Sequence, residues 1–455
     1  MAAKFACSLG ALLLAGIATG ATAPVSLPPA LKTLATAPAV HRISSVDNNR
    51  SCDIGTYPAA TLLLPYFEVE VAKPVDQAAN TIFTVVNTSK LPQIARITVW
   101  TDYGYPAMWF NAYLTGYDAE SFSMYDVLAA GQAPRTSSTS AVGSRSAAGN
   151  SLLTVTGCDS LGGDLPSGTM AEVRAMLTNG QAASVNGCKV GGEHAMAVGY
   201  VTVDVINSCS SISPLDSAYY SQVLLFDNVL TGDYDRLNPD RNVGNYAGGN
   251  PLVHIRAIPE GGKAGPLPAG TASLPYTFYD RFTPSAARHI DRRQPLPSSF
   301  AARYIEGGTA SFATDYAIWR EGMDRVTAVG GGCSLSASAA MPYASIVRFD
   351  EMENPTVAAV PKGPGSRTLT FPVTSAPSAA AAPFPPQAGY TLSGWIYLNL
   401  DNTAGVYASA LSPYSTARPS QNWVIIHMRA DGRYAVDFDA TTISNGCVVI
   451  ETEYK

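Results

Sequence analysis

Residues 81–100 read TIFTVVNTSKLPQIARITVW, two apolar runs around a short polar interruption. Ile82, Phe83, Val85 and Val86 are β-branched or aromatic, which suits a strand. They occupy both parities, so this strand reads as covered on both faces. Asn87-Thr88-Ser89-Lys90-Leu91-Pro92 carries turn chemistry, and Pro92 has no N–H to give to a ladder. In the second run Ala95, Ile97 and Val99 alternate with Arg96 and Thr98, the pattern of a half-buried strand. The stretch therefore reads as a hairpin-like pair. The same pattern recurs along the chain. The expected fold is mainly β, built of two antiparallel β-sandwich units with one small helical insertion.

Working outward, strand patterns run from TLLLPYFEVEV at Thr61 to Ser123, and a first sandwich unit is expected over 51–130. Residues 131–150 have the composition of a linker. A second β-rich unit is expected over 151–353. It carries the insertion at 158–188, where Thr169-Met-Ala-Glu172 is a capping-box pattern. Met170, Val173, Met176 and Leu177 form the apolar stripe of that helix, and Gly180 ends it. Residues 354–388 are a Pro/Ala-rich connector, and 389–455 supply closing strands. Asp431-Gly432 between two apolar runs is a hairpin signal, because that dipeptide tolerates the positive φ of a type I′ turn. A faint internal echo, TVVNTS then LTGYD and DVINSC then LTGDYD, suggests that the two units are related.

Residues 1–23 have the form of a secretory signal: Lys4, an apolar run from Phe5 to Ile17, and Ala21-Thr22-Ala23 at the cleavage position. Residues 24–50 read as a flexible leader. No later stretch is long and apolar enough to suggest a membrane span. Cleavage after Ala23 would remove Lys4 and leave 28 Lys+Arg against 35 Asp+Glu, a net charge of −7. That balance argues against nucleic acid as a partner. Six cysteines remain: Cys52, Cys158, Cys188, Cys209, Cys333 and Cys447. An even number in an exported chain implies disulfides, and six allow about 15 pairings. Cys158–Cys188 is the first choice because the two bracket the insertion. Cys209–Cys333 and Cys52–Cys447 complete the preferred set.

LLPYFEVE, TIFTVVNTS, FNAYLTGYD, GYVTVDVINSC, SFAARYI, IVRFDEMENP and GWIYLNL together resemble a group of uncharacterised exported bacterial proteins with no assigned activity. The resemblance spans roughly Leu62 to Cys447. It implies export and a β-rich fold, and it transfers no catalytic residue.

The chain contains no GxSxG elbow, SxxK pair, HExxH helix, Walker A loop or GxGxxG. GCDSLGGD at 157–164 lacks the order of a serine-protease nucleophile loop, so Cys158 reads as structural. Glu193-His194 has no second histidine nearby and reads as a solvated loop pair. His254 and His427 sit in strand patterns as surface or half-buried residues. Arg292 or Arg293 is placed to grip a carboxylate, with a structural ion pair as the plainer reading. The cation candidate is DYDRLNPDRN at 233–242. Asp233, Asp235, Asn238 and Asp240 offer the oxygen ligands that Ca²⁺ prefers, although the loop departs from an EF-hand at Asn238 and Gly244. An acidic turn held by its own side chains is the alternative. The ligand-binding candidates are Trp100, Tyr103, Tyr105, Trp109 and Tyr113, within a cluster that also holds Phe110 and Tyr117. Trp109 and Tyr113 share one strand face about 13 Å apart, and such rings stack on sugars or peptides; the plainer reading is that a second sheet or the leader covers them.

The leading expectation is an exported, non-catalytic β-protein, secreted or at the cell surface, that binds a glycan or a protein surface or takes part in assembly. The second is a secreted, glycan-directed hydrolase using loop carboxylates, with Asp204, Asp227, Asp280 and Glu306 first in line. The third is a filament or surface-layer subunit joined through sheet edges.

Overall fold

A computed structural model describes residues 57–102, 104–134, 163–181, 184, 190–214, 216, 218–237, 246–257, 293, 299–306, 313–320, 345–357, 368–372, 392–399, 422–430, 434–439 and 441–444. The chain is mostly β, and every strand pairing among the described residues is antiparallel. The first half contributes β1 (Thr61–Val69), β2 (Asn80–Asn87), β3 (Gln93–Thr101), β4 (Pro106–Leu114), β5 (Ala119–Ser123), the short pair β6 (Gln132–Ala133) and β7 (Gly163–Asp164), helix α1 (Ser167–Thr178), β8 (Ala197–Ile206), β9 (Leu230–Leu237), β10 (Tyr246–Pro251) and β11 (Val253–Ile255). The second half contributes β12 (Ser299–Glu306), β13 (Ala313–Arg320), β14 (Ser345–Asp350), β15 (Pro355–Val357), β16 (Thr368–Pro372), β17 (Leu392–Asn399), β18 (Asn422–Ala430), β19 (Tyr434–Asp439) and β20 (Thr441–Ser444).

Two sheets, ordered β11-β1-β8-β3-β4 and β10-β9-β2-β5, face each other across one core. Leu62 and Leu64 of β1, Phe83 and Val85 of β2, Ile97 of β3, Phe110 of β4, Phe122 of β5, Val203 of β8 and Tyr234 of β9 fill it. Phe83 and Phe122 stack at 4.9 Å within it. Both edges are turned by consecutive strands, β4 to β5 on one side and β10 to β11 on the other. The second half forms sheets ordered β15-β14-β17-β12-β20 and β16-β13-β18-β19. Edge strand β10 runs beside edge strand β19.

The opening stretch is not a hairpin. β2 and β3 lie in opposite sheets, and the chain between them arches across the sandwich. Asn87 makes the arch: its amide donates to the carbonyls of Leu91 and Thr115, each at 2.8 Å, while its side-chain oxygen accepts from the Ser89 N–H at 3.0 Å. Such local side-chain bonds curl the backbone out of the sheet plane. The two burial expectations are also exchanged. β2 alternates, with Phe83 and Val85 inward, whereas β3 is buried at every position. The polar parity of β3 is covered by a second layer, which a strand pattern cannot report.

The expected break at 131–150 does not separate two units. β8, beyond it, lies between β1 and β3, so the first sandwich extends to Ile255. Both halves of the internal echo fall inside this sandwich and do not mark two related units. Helix α1 buries Met170, Val173, Met176 and Leu177, the expected stripe. It begins at Ser167 after Pro166, with no side-chain cap, rather than at Thr169. Gly180 ends it at φ 68°, and a Cβ there would collide with the Gly191 carbonyl. β18 and β19 pair from Ala430↔Tyr434 outward, as the Asp-Gly signal anticipates, and residues 431–433 lie outside the described residues. Among the described residues no helix is long and apolar enough to cross a membrane.

Candidate functional site

The aromatic cluster of β3 and β4 does not form an open platform. Trp100 and Tyr113 are fully buried. The Trp100 indole N–H donates to the Thr202 hydroxyl at 2.8 Å, and its ring stacks on Tyr200 at 5.8 Å. A second core over this face gathers Leu63, Ile94, Tyr219, Val223, Ile255 and Trp423. Trp109 and Tyr105 are half-buried, Tyr117 is exposed at the β4–β5 corner, and Tyr103 lies outside the described residues. Trp109 packs on the Arg96 guanidinium at 4.9 Å, and the Tyr219 ring lies at the same distance from it. The aromatic residues close the sheet face with atoms of the same chain.

Asp204, one of the carboxylates considered for hydrolysis, sits at the centre of this layer. Thr61 Oγ1 donates to it at 2.6 Å, Tyr219 Oη at 2.7 Å and Arg293 Nη1 at 3.3 Å. Asp204 and Arg293 are both fully buried, so Arg293 is a structural ion partner and Asp204 has no access to a substrate. Asp227 is also buried, Asp280 lies outside the described residues, and Glu306 ends β12.

Glu193-His194 is not an isolated loop pair. His194 Nε2 lies 3.0 Å from Asp102 Oδ2, while the Gly192 N–H donates to Asp102 Oδ1 at 2.8 Å. The His194 N–H also donates to the Thr178 carbonyl, and Thr101 Oγ1 to the Val190 carbonyl. These contacts clasp the segment after α1 to the β3–β4 turn. Burial pushes the neighbouring Tyr105 phenol above its ordinary value of 10. His254 is fully buried rather than at the surface or half-buried as expected, with Nδ1 2.8 Å from the Tyr57 carbonyl. His427 lies on β18.

The cation candidate is divided. Asp233 and Asp235 belong to β9 and share its parity, paired with Thr84 and Ile82, so this half is strand rather than turn. Asn238 and Asp240 lie outside the described residues. Among the described residues no group of three or more His, Cys, Asp or Glu side chains is placed to hold a metal. Cys209 is disulfide-bonded; Cys52, Cys158, Cys188, Cys333 and Cys447 lie outside the described residues.

An aromatic that water does reach stands on β17. Trp395 is 42% exposed although its strand is paired on both sides. Ladder register places Arg303 of β12 and Phe349 of β14 directly opposite it, so the three share the outer face. The Arg303 guanidinium lies over the indole at 4.9 Å. Tyr397 continues the row along β17, and Ser393 precedes it, donating its hydroxyl to Glu351. Met352, 81% exposed, stands in the β14–β15 turn beside Glu351. The alternation of Trp395, Tyr397 and Asn399 with Ile396 and Leu398 was visible in GWIYLNL.

No family model, curated protein or solved structure matches the chain.

Proposed function

We propose that this chain is an exported, non-catalytic β-protein that binds at the cell surface through the outer face of β12, β17 and β14. The observation that carries this reading is the exposure of Trp395 in the middle of a sheet, with Arg303 laid over it. Contiguous apolar patches left in water mark interaction sites, and Trp395 shares its face with Phe349 and Tyr397. Export is supported by the signal-like residues 1–23 and by the disulfide at Cys209. A binding role accords with the engagement of Asp204 in a closed internal network, which removes it from any hydrolytic pair.

The test is sedimentation of purified protein with isolated bacterial envelopes. Retention should be lost in Trp395→Ala and kept in Trp109→Phe. Retention that ignores Trp395, or turnover on a panel of glycan and ester substrates, overturns the reading.

A further inference from the structure

We propose that the ligand taken by the β17 face is a neutral glycan; this rests on the binding reading above and assigns the ligand's chemistry. The face is built rather than left over. Asp350 Oδ1 accepts from the N–H groups of Met352 at 2.9 Å and Asn354 at 2.8 Å, and Oδ2 accepts from the Asn354 amide at 3.0 Å. Glu353 takes the left-handed conformation, φ 63°, to close the turn. Asp350 is thereby spent on its own backbone, and the turn presents Glu351 against Ser393 and Met352 to water. Gly394 allows β14 to approach, because a Cβ there would strike the Phe349 carbonyl.

The polar groups around the indole are of both kinds. The Arg303 guanidinium lies over the indole, and Glu351 holds its carboxylate against Ser393, two residues along β17 from the ring. A sugar is the complement of that set. Its C–H face stacks on an aromatic ring, and each of its hydroxyls both donates and accepts. An anionic glycan would bring its charge toward Glu351, Glu353 and Asp350. A cationic ligand would meet Arg303. A protein interface core is depleted of carboxylates, whereas Asp350, Glu351 and Glu353 gather at the β14–β15 turn beside this row. Arg303 covers one side of Trp395, and the sugar takes the exposed remainder.

The experiment uses the full purified chain and two sets of probes: neutral homo-oligomers of glucose, mannose, galactose and N-acetylglucosamine, and uronic-acid oligomers. Binding is read by titration calorimetry and by tryptophan fluorescence. At least one neutral oligomer should bind, and Trp395→Ala should lose about tenfold or more in affinity. Trp395→Phe should rescue most of it, and Glu351→Gln should weaken it, with unchanged circular dichroism and urea midpoint as the check on folding. Preference for uronic acids, or an affinity indifferent to Glu351→Gln, overturns the assignment. Failure of every oligomer while Trp395-dependent envelope retention persists overturns the glycan and leaves the binding face standing. Retention and glycan binding that both survive Trp395→Ala overturn both.

Discussion

The indole Nε1 of Trp423 donates a 2.7 Å hydrogen bond to the carbonyl of Pro65, joining β18 to the bulge of β1 across 358 positions of chain. The bulge between Leu64 and Phe67 frees that carbonyl from the β1–β8 ladder, and Trp423 takes it up. Its ring meets Tyr200 edge-on at 4.8 Å, and Tyr200 in turn stacks on Trp100. Among the described residues this buried side chain, together with the β10–β19 edge contact, keys the second half of the protein into the first, and it also seals the aromatic face of β3.

Truncating that key should cost about 3–5 kcal/mol, the range for a buried tryptophan cut to alanine. Trp423→Phe should cost less but leave the Pro65 carbonyl buried without its donor, about 1–3 kcal/mol. Urea unfolding followed by tryptophan fluorescence and by circular dichroism checks both. In Trp423→Ala the two probes should no longer coincide, because the sandwiches have lost a shared contact. A single coincident transition at the wild-type midpoint would show that Trp423 does not couple them.

Asp204 and Arg293 form a buried pair whose members depend on each other. Asp204→Ala leaves a guanidinium in the core and is expected to destabilise by about 3–5 kcal/mol. Replacing both, as Asp204→Leu with Arg293→Met, should recover part of that loss, since apolar substitutes remove the stranded charge. A double-mutant cycle measured by denaturant unfolding reads the coupling. Additive single effects would mean that the pair does not act as a unit.

How far the sequence could be read follows from these contacts. Strand periodicity found the β class, and the stripe on α1 appeared as expected, because both patterns are local. The sheet partner of β3 was not local: Asn87 decides between hairpin and arch through bonds to Leu91 and Thr115. Which aromatic row stays wet was equally hidden. Trp100 and Trp395 both sit in alternating strands, but Trp423, Tyr219 and Val223 arrive from elsewhere in the chain to cover only the first. A periodicity says that a residue has a face and is silent about what lies over it.

Asp102 organises the clasp after α1 by accepting from the Gly192 N–H and meeting His194. A Cβ at Gly192 would press on both side chains, which would have to shift to admit it. Asp102→Ala removes both partners at once and should cost about 1–3 kcal/mol. The loss should be local, seen as faster amide exchange over residues 190–194 and at the end of α1. Asp102→Asn should keep much of the protection, since its side-chain oxygen still accepts from Gly192. Unchanged exchange in Asp102→Ala would remove the clasp from the structure's working parts.

Glu120 on β5 lies opposite Val85 of β2 and is half-buried. Its carboxyl is pushed up to about 7, first by burial and then by the negative charge of Asp118. Below the ordinary value of 4.5 the group is protonated in both folded and unfolded chains and makes no difference between them. As the pH climbs from 4.5 to about 7 the unfolded chain has released a proton that the folded chain still holds, so folding stability falls. Above that range both states are ionised, and the folded chain carries the whole cost of the confined charge. Glu120→Gln stays neutral throughout. Its melting temperature should match the wild type at pH 4 and exceed it at pH 8, with the gap opening across pH 4.5 to 7. Melting curves of both proteins at pH 4, 6 and 8 check this, and a gap of constant size at all three would assign the difference to packing rather than to the proton.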